Sequence, residues 1–377
     1  SHCDPTDGVV WDISPNSIGN ATLPATPAEW DAFYDILNGG DSGTGYSSNP
    51  VTGQAYAPQL VPRGDFTRAL AEFWADGPDS ELPPGHWFEI LHSVNDALSD
   101  QDLRIGGEGD PVDRLEWDVK GYFALGGCMH DAAVAAWGIK GYYDYPRPVS
   151  IIRWLAENGQ CTDPLLPNYN ESGIDLEPGQ IELITSASSA PGERHAHLAA
   201  YIDEIAVYAW RGPDAITDPA TDTAGVGWIL GRAWMPYQRP TFVTPNFAGY
   251  VSGHSCFSRA AASLLHDLTG SPYFPGGLGE FILPANDYLV FEDGPTVDIT
   301  LQWVSYYDAS DQCSLSRIWG GIHPRVDDIP GRQVGAIIGP EAWAKASSYW
   351  LEPDPCPQDF NDDGTVNGAD LLIILSN

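Results

Sequence analysis

Apolar residues recur at three- and four-residue intervals over seven stretches: Asp65–Ala75, His86–Leu98, Trp117–Lys140, Arg194–Ala209, Gly253–Leu268, Thr300–Gln312 and Gly331–Trp350. Strict apolar–polar alternation is scarce, so the chain has few strands to offer. Its 32 prolines and 40 glycines fall mainly between the helical stretches, and Asp7–Asn20 and Gly39–Gly53 read as loops. The pattern predicts an all-α fold, a helical bundle with long loops. Residues 1–351 read as one helical domain. Glu352–Pro357, with three prolines, reads as a linker opening a short acidic segment over 352–377.

Composition narrows the function classes. A content of 43% hydrophobic residues with 14 tryptophans supports a packed core. Against 17 Lys and Arg stand 52 Asp and Glu, a net charge of −35 that repels phosphate backbones and anionic lipid, so nucleic acid is excluded as a partner. Such a surface stays hydrated at high salt, which points to a saline, marine setting. No apolar run reaches the roughly 20 residues of a membrane span, and no charged-then-apolar leader opens the chain, which reads as a mature, secreted or periplasmic form. Six cysteines allow three bridges without selecting a pairing.

Three distant segments carry the chemistry. In the first, a helix ends near Lys140, and Pro148 keeps Arg147 out of helical geometry, so both cations can turn into one pocket. Lysine supplies a point charge and arginine a planar fork matched to paired oxygens. Alone, such a pair is ordinarily solvated. The second segment, Val251-Ser252-Gly253-His254-Ser255, precedes a helix whose first N–H groups lack acceptors; Gly253 admits close approach of an anion, and Ser252 adds a donor. His254 beside it has the range for proton transfer. The plainer reading is Ser252 as an N-cap and His254 near solvent. The third segment sets Arg317 six residues before His323 across Gly320-Gly321. Arg317 reads as an oxygen ligand, with His323 approaching the central atom opposite His254.

The order Lys140…Arg147-Pro148, Ser252-Gly253-His254, Ser316-Arg317…His323 resembles the signature shared by vanadium-dependent haloperoxidases and type-2 phosphatidic acid phosphatases, over roughly residues 115–335. Val251 departs from it, standing where the family commonly has proline. The resemblance implies the helical bundle of that superfamily and a vanadate cofactor. His323 would bind vanadium, Lys140, Arg147, Ser252, Gly253 and Arg317 would hold the oxygens, and Lys140, His254 and His323 would be catalytic. The stretches Asp131–Lys140, Thr300–Asp311 and Gly320–Asp328 are similar to bacterial haloperoxidases. Trp137 and Phe247 match positions that wall the halide pocket; algal bromoperoxidases have histidine where Phe247 stands. The implied reaction is oxidation of halide, iodide or bromide foremost, by hydrogen peroxide to hypohalous acid, which halogenates small organic acceptors. The alternative in the same superfamily is a soluble acid phosphatase with His323 as phosphoryl acceptor; the lipid-phosphatase branch commonly spans membranes.

In the last segment Asp359, Asn361, Asp363, Thr365, Asn367 and Asp370 fall at positions one, three, five, seven, nine and twelve of an EF-hand-like loop, with Gly364 at six. This resembles half of a dockerin repeat and implies bound calcium and a docking partner. A non-catalytic, calcium-tethered binding module is the third reading. His195 and His197, two residues apart, would point to different helix faces and read as structural or surface residues.

Overall fold

The computed structural model describes residues 2–34, 43–75 and 81–351. Its helices are a single turn α1 (Trp30–Phe33), then α2 (Arg63–Phe73), α3 (Pro83–Ala97), α4 (Arg114–Tyr143), α5 (Pro148–Glu157), α6 (Gly253–Thr269), α7 (Tyr306–Trp319) and α8 (Arg325–Leu351). Local chemistry sets their ends. Asp113 caps α4 by accepting the Glu116 N–H, and Ser305 and Asp308 close a capping box on α7. Left-handed Asp144 and Gly270 stop α4 and α6. The largely helical architecture expected from the periodicity is what the chain adopts.

Two of the expected helical stretches differ from expectation. Arg194–Ala209 is a 3₁₀ turn, Ala196–Tyr201, followed by strand β4 (Ile205–Trp210), which lies between β3 (Ile181–Leu183) and β5 (Val226–Leu230) in an antiparallel sheet. Its β-branched and aromatic residues suit a pleated surface, and pairing on both sides overrides the helical spacing. Thr300–Gln312 is split: β7 (Ile299–Trp303) pairs with β6 (Gly279–Leu283), and α7 starts only beyond Ser305. Ile299, Leu301 and Trp303 are buried while Thr300 and Gln302 are half-buried, a period of two hidden inside an apparent helix. A third small sheet pairs β1 (Val10–Asp12), inside the Asp7–Asn20 stretch expected to be loop, with β2 (Leu60–Pro62).

Helix α6 is the central element, packed against α3, α4, α7 and α8. It is buried along nearly its whole length, and its small residues Ser255, Cys256, Ala260 and Ser263 let neighbours come close. Gly331, Gly335 and Gly339 of α8 face Ser252, Cys256 and Ala260. A Cβ built on Gly335 would stand 2.3 Å from the Cys256 carbonyl oxygen, and one on Gly339 2.5 Å from that of Ala260. This ridge of glycines brings α8 backbone to α6 backbone. Buried ion pairs lock the same junction: Arg332 pairs with Asp328 at 2.8 Å and Asp311 at 3.0 Å, and Arg259 of α6 also holds Asp311.

Among the described residues no helix is long and apolar enough to cross a membrane. Cys3, Cys128, Cys161, Cys256 and Cys313 are free thiols. The linker, Cys356 and the loop from Asp359 to Asp370 lie outside the described residues.

Candidate active site

Lys140 sits in the last turn of α4, 2% exposed, and its Nζ donates to the carbonyls of Ala248 at 2.9 Å and Gly249 at 2.8 Å. Burial, and then the nearby Arg147 charge, lower its pKa to about 7 against the opposing pull of Asp327. Arg147 is the extended N-cap residue of α5, held there by Pro148 at the first helical position. Its Nε donates to the Phe247 carbonyl at 3.1 Å; its Nη1 lies 3.0 Å from both the Ile322 carbonyl and His323 Nε2.

Arginine only donates, so His323 Nε2 is the acceptor and carries the lone pair. The proton then resides on Nδ1, which donates to Asp327 Oδ2 at 2.7 Å. Burial, followed by Arg147 and Lys140, pulls the His323 pKa well below its ordinary value, which keeps the ring neutral. Burial lifts Asp327 to about 7 even though Lys140 and Arg147 pull it down.

Ser252 is the N-cap of α6: its hydroxyl accepts the Ser255 N–H at 3.3 Å, and its own N–H donates to the Asp327 carbonyl at 2.8 Å. Gly253 and His254 follow at the first two helical positions, ahead of Cys256, whose N–H donates to the Ser252 carbonyl as the first bond of the helix. A Cβ on Gly253 would meet the Trp137 ring at 3.2 Å.

His254 is buried rather than near solvent, and it points Nε2 at the Trp74 carbonyl, 2.7 Å away. A carbonyl only accepts, so Nε2 bears the proton and Nδ1 the lone pair. Burial, with the Arg317 charge next, lowers the His254 pKa well below its ordinary value.

Arg317, in the last turn of α7, donates from Nη2 to the Ala71 carbonyl at 2.6 Å and from Nε to Ser316 Oγ at 2.9 Å. His86 Nε2 meets the Phe73 carbonyl at 2.8 Å. The carbonyl end of α2, where the helix dipole is negative, thus orients Arg317, His254 and His86 together.

These groups border a cleft of about 420 Å³ whose lining includes Trp137, Arg147, Phe247, Gly253, His254 and His323. Lys140, Ser252 and Arg317 stand behind that lining, almost wholly buried. The Trp137 and Phe247 rings contact each other at 4.9 Å, and Phe247 lies 5.3 Å from both Lys140 Nζ and the Arg147 guanidinium carbon.

Sequence reading missed the orienting groups. Asp327, in the first turn of α8, lies four residues beyond His323 in the bend before that helix; Asp328 accepts from the Ser255 hydroxyl at 2.6 Å beneath the cap. The carbonyls of Ala71 and Trp74 leave no mark in the sequence. His195 and His197 lie elsewhere: His195 is buried against Ser188 and the edge of Trp228, and His197 meets the Trp228 carbonyl.

Cations and the first N–H groups of α6 thus gather at helix ends around one cleft, with the lone pairs of two imidazoles beside them. The family described as the VCPO second helical-bundle domain matches residues 120–169 and 195–352, more than half of the chain. The chain belongs to that family, the vanadium haloperoxidases. Similar solved structures include a holo-type bacterial vanadium-dependent chloroperoxidase, 17% identical with a TM-score of 0.49, covering 76% of this chain and 44% of that one. An apo-type bacterial vanadium-dependent chloroperoxidase is 15% identical with a TM-score of 0.44, covering 80% and 60%. A bacterial vanadium-dependent iodoperoxidase is 18% identical with a TM-score of 0.36, covering 89% and 52%. The chain therefore spans less than two thirds of each of them. No curated protein matches it.

Proposed function

We propose that this chain is a vanadate-dependent haloperoxidase that oxidises halide with hydrogen peroxide to hypohalous acid. One observation carries the reading: the His323 Nε2 lone pair is turned into a buried site beside Arg147, with its proton drawn to the opposite nitrogen by Asp327. A neutral imidazole so oriented suits an electron-poor central atom, and the surrounding cations suit its oxygens. Vanadate therefore fits these residues: His323 Nε2 would take the metal, and Lys140, Arg147, Arg317, Ser252 and the Gly253 N–H would hold the oxygens. When bound, it would supply a V(V) centre that activates hydrogen peroxide toward two-electron oxidation of halide.

The chain's own residues do the rest. The three cations draw negative charge toward themselves in a site shielded from water, where such attraction is strong. His254 Nδ1 accepts a proton from incoming peroxide, while the Trp74 carbonyl keeps the ring in the required tautomer. Trp137 and Phe247 line the cleft and would wall its halide side.

The test is triiodide or tribromide formation by metal-stripped protein before and after addition of orthovanadate, beside hydrolysis of p-nitrophenyl phosphate. Vanadate-dependent turnover that vanishes in His323→Ala supports the reading. Ester hydrolysis inhibited by vanadate, with no halide oxidation, overturns it in favour of a phosphatase.

A further inference from the structure

The anion-binding groups form only the floor of the cleft. A water molecule occupies about 30 Å³ of liquid, and peroxide and halide are each of the order of one or two waters, so together they leave most of the 420 Å³ free. An apolar cavity of about 150 Å³ already accommodates benzene. Beyond the floor the lining is apolar and aromatic: Trp137 and Phe247 in mutual contact, Phe242, and Leu82 with Pro83 at the start of α3. Asn246 is the polar side chain among the lining residues outside the floor. Leu82 is 63% exposed, Trp137 40% and Phe247 37%, so large apolar surfaces face water around one concavity.

We propose that this cleft binds the organic acceptor, a neutral, flat molecule of one or two unsaturated rings, and that halogen transfer takes place inside it. The inference rests on the haloperoxidase reading and names the acceptor class. Flat rings match aromatic walls. Outside the floor the lining residues carry no charged side chain, so nothing there compensates a charge on the acceptor. In the transfer, hypohalous acid formed at the floor gives its halogen to a ring carbon. The O–X and C–H bonds break, the C–X bond forms, and the ring proton leaves with the hydroxide as water. Held against Trp137 and Phe247, the ring presents one edge to the floor, so one ring position is favoured.

Two measurements test this. Fluorescence anisotropy of 2-naphthol titrated with vanadate-free protein reads binding alone; saturable binding is expected, weakened about tenfold in Phe242→Ala and in the rim variant Leu82→Asp. Bromination of anisole by the vanadate-loaded protein is then compared with free hypobromous acid. The para-to-ortho ratio is expected to differ by about threefold or more and to relax toward the free-reagent ratio in both variants. Bromide oxidation with neither saturable binding nor an altered ratio overturns the cleft proposal alone. Binding with oxidation of neither bromide nor iodide overturns the haloperoxidase reading and the acceptor role with it.

Discussion

Asp327 Oδ2 stands 2.7 Å from His323 Nδ1, and that contact decides which nitrogen of the imidazole faces Arg147. Asp327→Asn replaces the carboxyl with an amide that can donate as well as accept, so Arg147 alone is left to hold the tautomer. Vanadate affinity, read by loss of the free ⁵¹V resonance, is expected to fall about 10–100-fold with the circular dichroism spectrum unchanged. Affinity within a factor of two of wild type would remove Asp327 from the site.

His254 is assigned to proton transfer and not to holding the anion. In His254→Ala, kcat for halide oxidation is expected to drop about 10²–10⁴-fold while the vanadate Kd stays within an order of magnitude. Parallel loss of both would make it an anion ligand.

Burial holds the Lys140 amine near pH 7, with the Phe247 ring forming part of the cover. Opening that cover in Phe247→Ala lets water stabilise the ammonium, so the pKa rises toward its ordinary 10.5. Mass-spectrometric quantification of Lys140 acetylation against pH should show a midpoint near 7 in the parent, displaced upward in the variant. Coincident midpoints would mean that Phe247 does not shield the amine.

Away from the cleft, burial lifts Glu72 from 4.5 to about 8 despite donation from Tyr237, Val290 and Phe291. Below about pH 4.5 the group is protonated whether folded or unfolded. Between 4.5 and about 8 only the unfolded chain releases the proton, so stability falls as pH rises, and above about 8 the loss is complete. Glu72→Gln lacks this titration. Its denaturation free energy relative to the parent should therefore climb by as much as about 1.4 kcal/mol per pH unit across the window. A flat difference between pH 5 and 9 would show Glu72 ionised throughout.

Gly335→Ala places a methyl where the Cys256 carbonyl oxygen stands. A cost of about 1–3 kcal/mol in urea denaturation is expected, together with weaker vanadate binding. Unchanged binding in a destabilised protein would separate the helix junction from the pocket.

Much of the pocket was legible because its polar side chains sit in short segments whose local structure is self-announcing. Pro148 forces Arg147 outward, Ser252 caps a helix, and Lys140 and Arg317 lie in last turns. The orienting layer was less visible. His254 and Arg317 rest on backbone carbonyls of α2, and a carbonyl is the same in every residue, so only the fold reveals that this helix ends there. Ile205–Trp210 and Ile299–Trp303 misled because a short apolar run satisfies three- and four-residue spacing as well as alternation. Partner strands choose between the two, and partners are not local. The plainer alternative for His254, near solvent, fails because the Trp74 carbonyl that meets its ring leaves no mark in the neighbouring sequence.

The match of Gly331, Gly335 and Gly339 to Ser252, Cys256 and Ala260 makes the junction a rack with two toothed edges, each step one helical turn. Displacement at any tooth is carried along both edges, since neither has room to absorb it. A survey of harmful substitutions in this protein would therefore find a line of them running from the pocket into the interior along α8. Many would lie in residues that touch nothing the pocket binds. Distance from the chemistry would be a poor guide to tolerance here, and register along the rack a better one.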